Sequence, residues 1–370
     1  MSSGSRALAR ARSRAALLAA IAALALVGSF LCTGAVSFLH SSAIAGTRTI
    51  LTNTPARDAA LQLDTQLTQD ATAQNEAADR LLTARVAALH TTVSRTLRTA
   101  ALPFDQSPAR PDSTGRTIIL GSDAQLRQHA RIVEGSWAPS AQDADAPEQG
   151  APPQGAPQPG VLQARAADAL GITAGDLLLV GAPGQQRQVL VTGTWLPNDP
   201  AAARWFGDPA VISGFDGTAS GVLMVDEPWL ATLPAAPHVR WTMTPDTSRF
   251  LPEDVPALGA ALSRIGERLD NDAPISGDTL LAHGNLAATL TNLGQSQAAA
   301  RAIATVPIVL TATIAFLALI QLARLLSATR RQETALLRAR GSSPGALAAL
   351  ASAEAAAVII PAAALGALAA

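Results

Sequence analysis

Hydrophobic positions in this chain fall in blocks. Three long apolar windows stand out, at 15–39, 302–323 and 346–370. Each is about as long as the ~20 apolar residues needed to cross the hydrocarbon core of a bilayer, and the first two carry no charge. Between them the pattern breaks into short periodic runs. Leu61, Leu63 and Leu67 keep the two-residue period of a half-buried strand, and 74–90 switches to helical spacing with Ala77, Leu81, Leu82, Val86 and Leu89 on one side. Extended spacing returns over 93–97. The same order recurs late, with 239–243 extended, 253–269 helical through Val255, Leu258, Leu262 and Ile265, and a short segment near Ile275.

Two such units around one sheet predict an α+β domain of ferredoxin-like character. The sequence between them reads differently. Short strands at 116–120, 176–180, 188–194 and 221–226, punctuated by glycine and proline, predict a β-rich insert. Residues 138–160 hold six prolines and three glycines, too little apolar content to pack, and read as a loop. From 277 onward the pattern is helical with few breakers, so a continuous stalk helix is expected from about Asp278 to Leu326, kinked at Pro307. No period of 20 to 50 residues repeats, which argues against a solenoid.

Charge orients this arrangement. All 27 basic residues are arginines. Arg6, Arg10, Arg12 and Arg14 precede the first window, while Arg324, Arg330, Arg331, Arg338 and Arg340 follow the second. The positive-inside rule therefore puts both flanks in the cytoplasm and the intervening region outside. That region keeps 18 arginines against 26 acids, because only Glu333 and Glu354 of the 28 lie elsewhere. An excess of eight negative charges suits a solvated surface and gives no footprint for nucleic acid. Ala43-Ile44-Ala45 has the form of a signal-peptidase site, but the apolar run before it exceeds the ~7–15 residues of a signal h-region, so a retained anchor is expected. The single cysteine, Cys32, follows Phe30-Leu31 inside that anchor and reads as lipid-facing filler, leaving the exterior domain without a disulfide.

Several chemistries fail on inventory. Without lysine there is no phosphate-loop signature. The five histidines, His40, His90, His129, His238 and His283, are dispersed without metal-ligand spacing and read as surface or partly packed side chains. Gly341-Ser342-Ser343-Pro344-Gly345 matches a nucleophile elbow in letters only, since a helical arginine-rich segment precedes it and no histidine follows. Glu354 lies inside the third window, where an acid costs roughly 2.5–3.5 kcal/mol on insertion scales. A proton relay is one reading; its place eight residues into the window favours an acid near the interface or at a bundle contact.

The segment RRQETALLRARG at 330–341 closely resembles the one that follows the second span in FtsX-like permeases, the MacB and LolC/LolE type of ABC transporter membrane subunit. Arg330, Arg331, Glu333, Leu336, Leu337, Arg338 and Gly341 fall on the family pattern, as does Glu354 opening the next span; Thr334 and Arg340 depart from its bulky apolar residues. The phrase Val161 to Asp176, with Gly171 and Gly175, and the turn at Val133 to Trp137 are similar to exterior-domain features of the same family.

The resemblance implies α-helical transmembrane segments plus a large α+β extracytoplasmic domain, MacB-core-like, with ferredoxin-like βαβ units and a β-rich insert. Its parts would be a cytoplasmic N-terminus (1–14), a first span (15–39), an exterior domain with a C-terminal stalk helix (40–301), a second span (302–326), a cytoplasmic coupling segment (327–345) and a third span (346–370). Family members have at least four spans, so the chain, ending at Ala370 within the third, is expected to be an N-terminal portion. It would be a multi-pass plasma-membrane subunit rather than an enzyme, with no cofactor of its own. Its partners would be an ABC ATPase subunit that hydrolyses ATP, a second permease copy in a homodimer or heterodimer, and membrane lipids. The seven residues from Arg330 to Gly341 would form the contact with the ATPase. Two alternatives stay open, a two-span exterior sensor and an FtsX-like regulator of a cell-wall hydrolase.

The topology is testable with cysteines placed at Ser140 and Ser342 in a Cys32→Ser background. An impermeant thiol reagent on intact cells should label position 140 and spare 342; the reverse pattern would overturn the orientation.

Overall fold

The structure is a computed structural model that describes residues 3–83, 90–107, 116–138, 156–269, 275, 280–329 and 344–370. The chain divides into two compact units, one of Thr47–Gly294 and one of Met1–Gly46 with Gln295–Ala370. The chain opens with α1 (Ser3–Asn53), which continues past the first apolar window to the edge of the α/β unit. It stops ahead of Pro55, whose ring disfavours a helical residue before it.

The frame of the α/β unit is built by β1 (Leu61–Gln66), α2 (Ala71–Thr83), β2 (Thr91–Arg98), β10 (His238–Pro245), α7 (Asp254–Leu269) and β11 (Leu281–His283). The strands lie in the order β11-β1-β10-β2 with every neighbour antiparallel. This is the split β-α-β arrangement that the two sequence units anticipate. Alternation gives the sheet one apolar face. Leu63, Leu97, Val239, Trp241 and Met243 are buried there against Ala77, Ala78 and Leu82 of α2 and Val255, Leu258, Leu262 and Ile265 of α7. Each large side chain so covered stabilises by about 1.5–3 kcal/mol. Trp241 also donates its indole N–H to Asn75, 2.9 Å away. Val86 and Leu89, expected on the same helical face, lie outside the described residues.

Between β2 and β10 the chain forms β3 (Leu102–Ser107), β4 (Thr117–Ser122), α3 (Leu126–His129), β5 (Ala130–Gly135), β6 (Gln158–Gln163), α4 (Ala164–Leu170), β7 (Leu177–Val180), β8 (Arg187–Pro197), α5 (Pro209–Ile212), β9 (Ser220–Met224) and α6 (Glu227–Leu230). Pairing runs β4-β3-β7-β8-β6-β9 and closes from β9 back onto β4, making a barrel. The expected insert is therefore a closed structure whose β3, β5 and β6 the sequence pattern missed. Strands β4, β6 and β9 are buried on both sides: Ile118, Leu120, Leu162 and Leu223 join the core that continues from the sheet, whereas their neighbours Ile119, Val161, Val222 and Met224 join a second cluster around Trp195 and Trp205. Strands β4 and β9 read as short apolar runs and coincide with the segments expected at 116–120 and 221–226, but such runs do not reveal that the sheet closes. The 138–160 loop ends earlier than expected, because Gln158–Gly160 already belong to β6; residues 139–155 lie outside the described ones.

Barrel and sheet share β4, which also pairs with β2 through Leu97↔Ser122 and Arg98↔Gly121. Gly121 sits where three strands meet. A Cβ there would stand 2.7 Å from Cγ1 of Val222 and 3.2 Å from the Leu97 carbonyl oxygen.

The stalk helix begins later than the sequence suggests. Leu281–His283 is β11, paired with β1, and α8 (Leu286–Thr329) starts only after Gly284 turns the backbone at φ 108°. An open sheet edge beside β1 outweighs the weak helical propensity of this stretch. Its first turns place Leu286, Leu290 and Leu293 in the main core. The helix then continues through Pro307. After it comes α9 (Pro344–Leu368).

In the helical unit, α1 and α8 are each long and apolar enough to cross a membrane, over Ala19–Asn53 and Leu286–Leu325. The apolar stretch described in α9, Ala356–Leu368, is shorter. Close packing uses small residues. A Cβ on Gly28 would lie 3.4 Å from that of Ala315, and one on Gly366 would collide with the Leu26 backbone and Ser29. Cys32 is half-buried beside Pro307 and Ile308, in an apolar groove of about 340 Å³.

Candidate functional site

All seven residues expected to contact an ATPase, Arg330, Arg331, Glu333, Leu336, Leu337, Arg338 and Gly341, lie outside the described residues. Glu354 is in α9, with its side chain also outside the description. The segment from Val161 to Asp176 turns at two glycines. Gly171 ends α4 in the left-handed conformation at φ 66°, Gly175 follows at φ 101°, and the Asp176 carboxylate accepts from the Thr173 amide at 2.9 Å. Their role is structural.

The chemistry that the structure does assemble lies on the second face of the sheet. Alternation puts Gln62 and Asp64 of β1, Arg98 of β2, and His238 and Arg240 of β10 on this face, where Asp64 pairs directly with Arg240 and Arg98 with His238 in strand register. The sequence reading of β1 as a half-buried strand is corrected here. Four consecutive residues, Gln62 to Thr65, are buried, and Asp64 and Arg98 are each only 9% exposed. The barrel covers them. The 3-10 turn Ala203–Trp205, the start of α5 and the loop around Asp216 close over this face and leave a cleft of about 690 Å³.

Ion pairs cross the cleft. Arg98 contacts Asp208, and Nη1 of Arg240 lies 3.5 Å from the same carboxylate. Asp208 is also the N-cap of α5, its Oδ1 accepting from the Ala210 amide at 2.9 Å. Arg240 Nε donates to Asp64 at 2.7 Å, and His238 Nδ1 is 3.0 Å from the other Asp64 oxygen. Burial pushes the Arg98 guanidinium below its ordinary pKa, the Asp208 charge opposing this and the Arg240 charge adding to it. Burial acts against ionisation of Asp216, yet amides of Ala219 and Thr218, the Thr218 hydroxyl and the Arg98 charge together hold its pKa below the usual value.

A second buried pair anchors the barrel side. Arg204, stacked 4.7 Å over the Trp205 ring, donates to Asp123 at 2.8 Å, and the Asp123 side chain is 1% exposed. Burial raises the Asp123 pKa, with the Arg204 charge and hydrogen bonds pulling it back.

None of Asp64, Arg98, Asp123, Arg204, Asp208 or Arg240 stood out in the sequence. They are far apart along the chain and belong to no motif; the one available signal was a charged residue, Asp64, inside a strand of leucines. No family model matches the chain, and a search of curated proteins finds no match.

The Asp123 pair makes a test with a defined sign. Arg204→Met leaves a buried carboxylate without its counter-charge and should cost about 3–5 kcal/mol at neutral pH. In the variant the folded-state pKa of Asp123 stays above its unfolded value of 3.8. The native state then binds the extra proton, so the deficit relative to wild type should shrink as pH falls through that raised folded pKa. Thermal unfolding at neutral and acidic pH checks this; a deficit constant with pH would contradict it.

Proposed function

We propose that this chain is a membrane subunit of an ABC transporter of the FtsX-like, MacB and LolC/LolE type, which passes ATP-driven movement from a partner ATPase to an extracytoplasmic α/β domain for export or extraction of a substrate. The observation that carries the reading is the order of parts: a helix long enough to span a bilayer, a split-sheet domain with an inserted barrel, a second such helix, and then α9. The bounds of α1 and α8 straddle the division between the two units, so each helix joins the domain covalently to the helical unit.

The resemblance at 330–341 supplies the rest of the proposal. Glu333, Leu336, Leu337 and Arg338 dock into the ATPase, the two leucines contributing buried apolar contact of about 1.5–3 kcal/mol each and the charges setting the register. Arg330, Arg331 and Gly341 complete this coupling segment, and the arginine distribution supports a cytoplasmic position for it. A second permease copy supplies the other half of the assembly, and the domain itself lies outside the cell membrane. The apolar α9 favours this reading over a two-span sensor, which would continue from its second span into a charged signalling helix.

Leu336→Asp combined with Leu337→Asp tests it in the protein co-expressed with an ABC ATPase subunit that co-purifies with the unsubstituted chain. Membrane insertion should persist while co-purification of the ATPase and its stimulated turnover are lost. Unchanged co-purification and turnover would refute the coupling role.

A further inference from the structure

We propose that the cleft between the sheet and the barrel is a binding site for a small organic carboxylate. The inference starts from an imbalance between donors and acceptors and stands apart from how the chain couples to an ATPase. Every carboxylate in the cleft is already engaged. Asp208 accepts from the Ala210 amide and faces both Arg98 and Arg240. Asp64 uses one oxygen for His238 and the other for Arg240. Asp216 takes the Thr218 amide, the Thr218 hydroxyl and the Ala219 amide on a single oxygen, each at 2.8 Å.

The arginines are not used up in the same way. A guanidinium carries five N–H donors in a rigid fork. Among the described residues Arg98 meets one carboxylate through Nη1, Arg240 commits Nε and Nη1, and the exposed Arg57 at the rim has no side-chain partner. Spare guanidinium donors in a covered site are matched by an incoming oxyanion, which accepts two of them in a charge-assisted geometry. The depressed pKa of Arg98, caused first by burial and worsened by Arg240, points the same way, because a further anion would offset both.

The rest of the lining selects the body of the ligand. Ile119, Phe206, Pro209 and Leu281 bring carbon surface to the same cavity as the arginines. Phe206 is held in the left-handed region at φ 53°, and Gly284 leaves room for its ring, since a Cβ at 284 would stand 3.1 Å from Cε2. A cavity of about 690 Å³ with a few convergent polar groups and apolar walls is of the size that takes a small molecule. Inorganic phosphate would leave those walls unused, whereas a carboxylate on a short carbon skeleton contacts both.

Acetate, succinate, glutamate and benzoate are the probes, with inorganic phosphate as the comparison, titrated calorimetrically into the full chain in detergent. At least one carboxylate should bind saturably and more tightly than phosphate. Arg57→Gln, which removes a rim donor without touching a buried pair, should weaken that binding about tenfold while leaving the ligand-free melting temperature unchanged. Arg98→Gln should abolish it, and Arg57→Gln keeps the test decisive should Arg98→Gln not fold. Absence of saturable binding by all four carboxylates, equal affinity in Arg57→Gln, or phosphate binding as tight as the best carboxylate would overturn the proposal.

Discussion

A guanidinium that is nine-tenths covered must be met by negative charge, because leaving it unpaired in a low-dielectric site costs several kcal/mol. Arg98 imposes this condition on the α/β unit. It ends β2, the strand that hands the sheet over to β4 and so to the barrel, and its counter-charge comes from Asp208, 110 residues later, at the start of a barrel helix. Satisfying Arg98 therefore fixes where α5 begins, and with it the position of the turn around Trp205 and the roof of the cleft. Arg240 and Asp64 extend the same network across two further strands. The shared strand supplies continuity of hydrogen bonding, and the charges supply a defined seat for the covering elements.

The two faces of the sheet divide the labour. On one, leucines, valines and Trp241 meet α2, α7 and the first turns of α8 in a continuous apolar core. On the other, polar residues that alternation would send to solvent are instead roofed by the barrel. That contrast explains which parts of the architecture could be read from sequence. Period-two and period-3.6 runs marked β1, α2, β2, β10 and α7 correctly because one side of each is apolar and the other is not. Val255, Leu258, Leu262 and Ile265 are all in the core as their spacing anticipates.

Where both sides are buried the signal vanishes. Ile118-Ile119-Leu120 and Val222-Leu223-Met224 give each neighbour to a different cluster, so the run marks a strand without saying that it closes a barrel. β11 was hidden for another reason: three residues at a sheet edge are held by pairing with β1, a tertiary effect that local helical pattern cannot report. The charged cleft was the least legible feature. Its members come from positions 57 to 285 and meet only because the barrel is inserted between β2 and β10. The proposed coupling segment is the converse case, a motif conspicuous in the letters at 330–341, for which the proposal rests on residue pattern and on the order of helices around it.

A double-mutant cycle between Arg98 and Asp208 tests most directly whether this buried pair seats the barrel on the sheet. Arg98→Met removes one charge; Asp208→Asn removes the other while keeping a residue able to cap α5. With unfolding free energies measured for the full chain in detergent, the account predicts that each single variant loses several kcal/mol and that the double variant is less destabilised than their sum by about 1–3 kcal/mol. Additive effects, within about 0.5 kcal/mol, would show that the two side chains do not depend on each other and would contradict it.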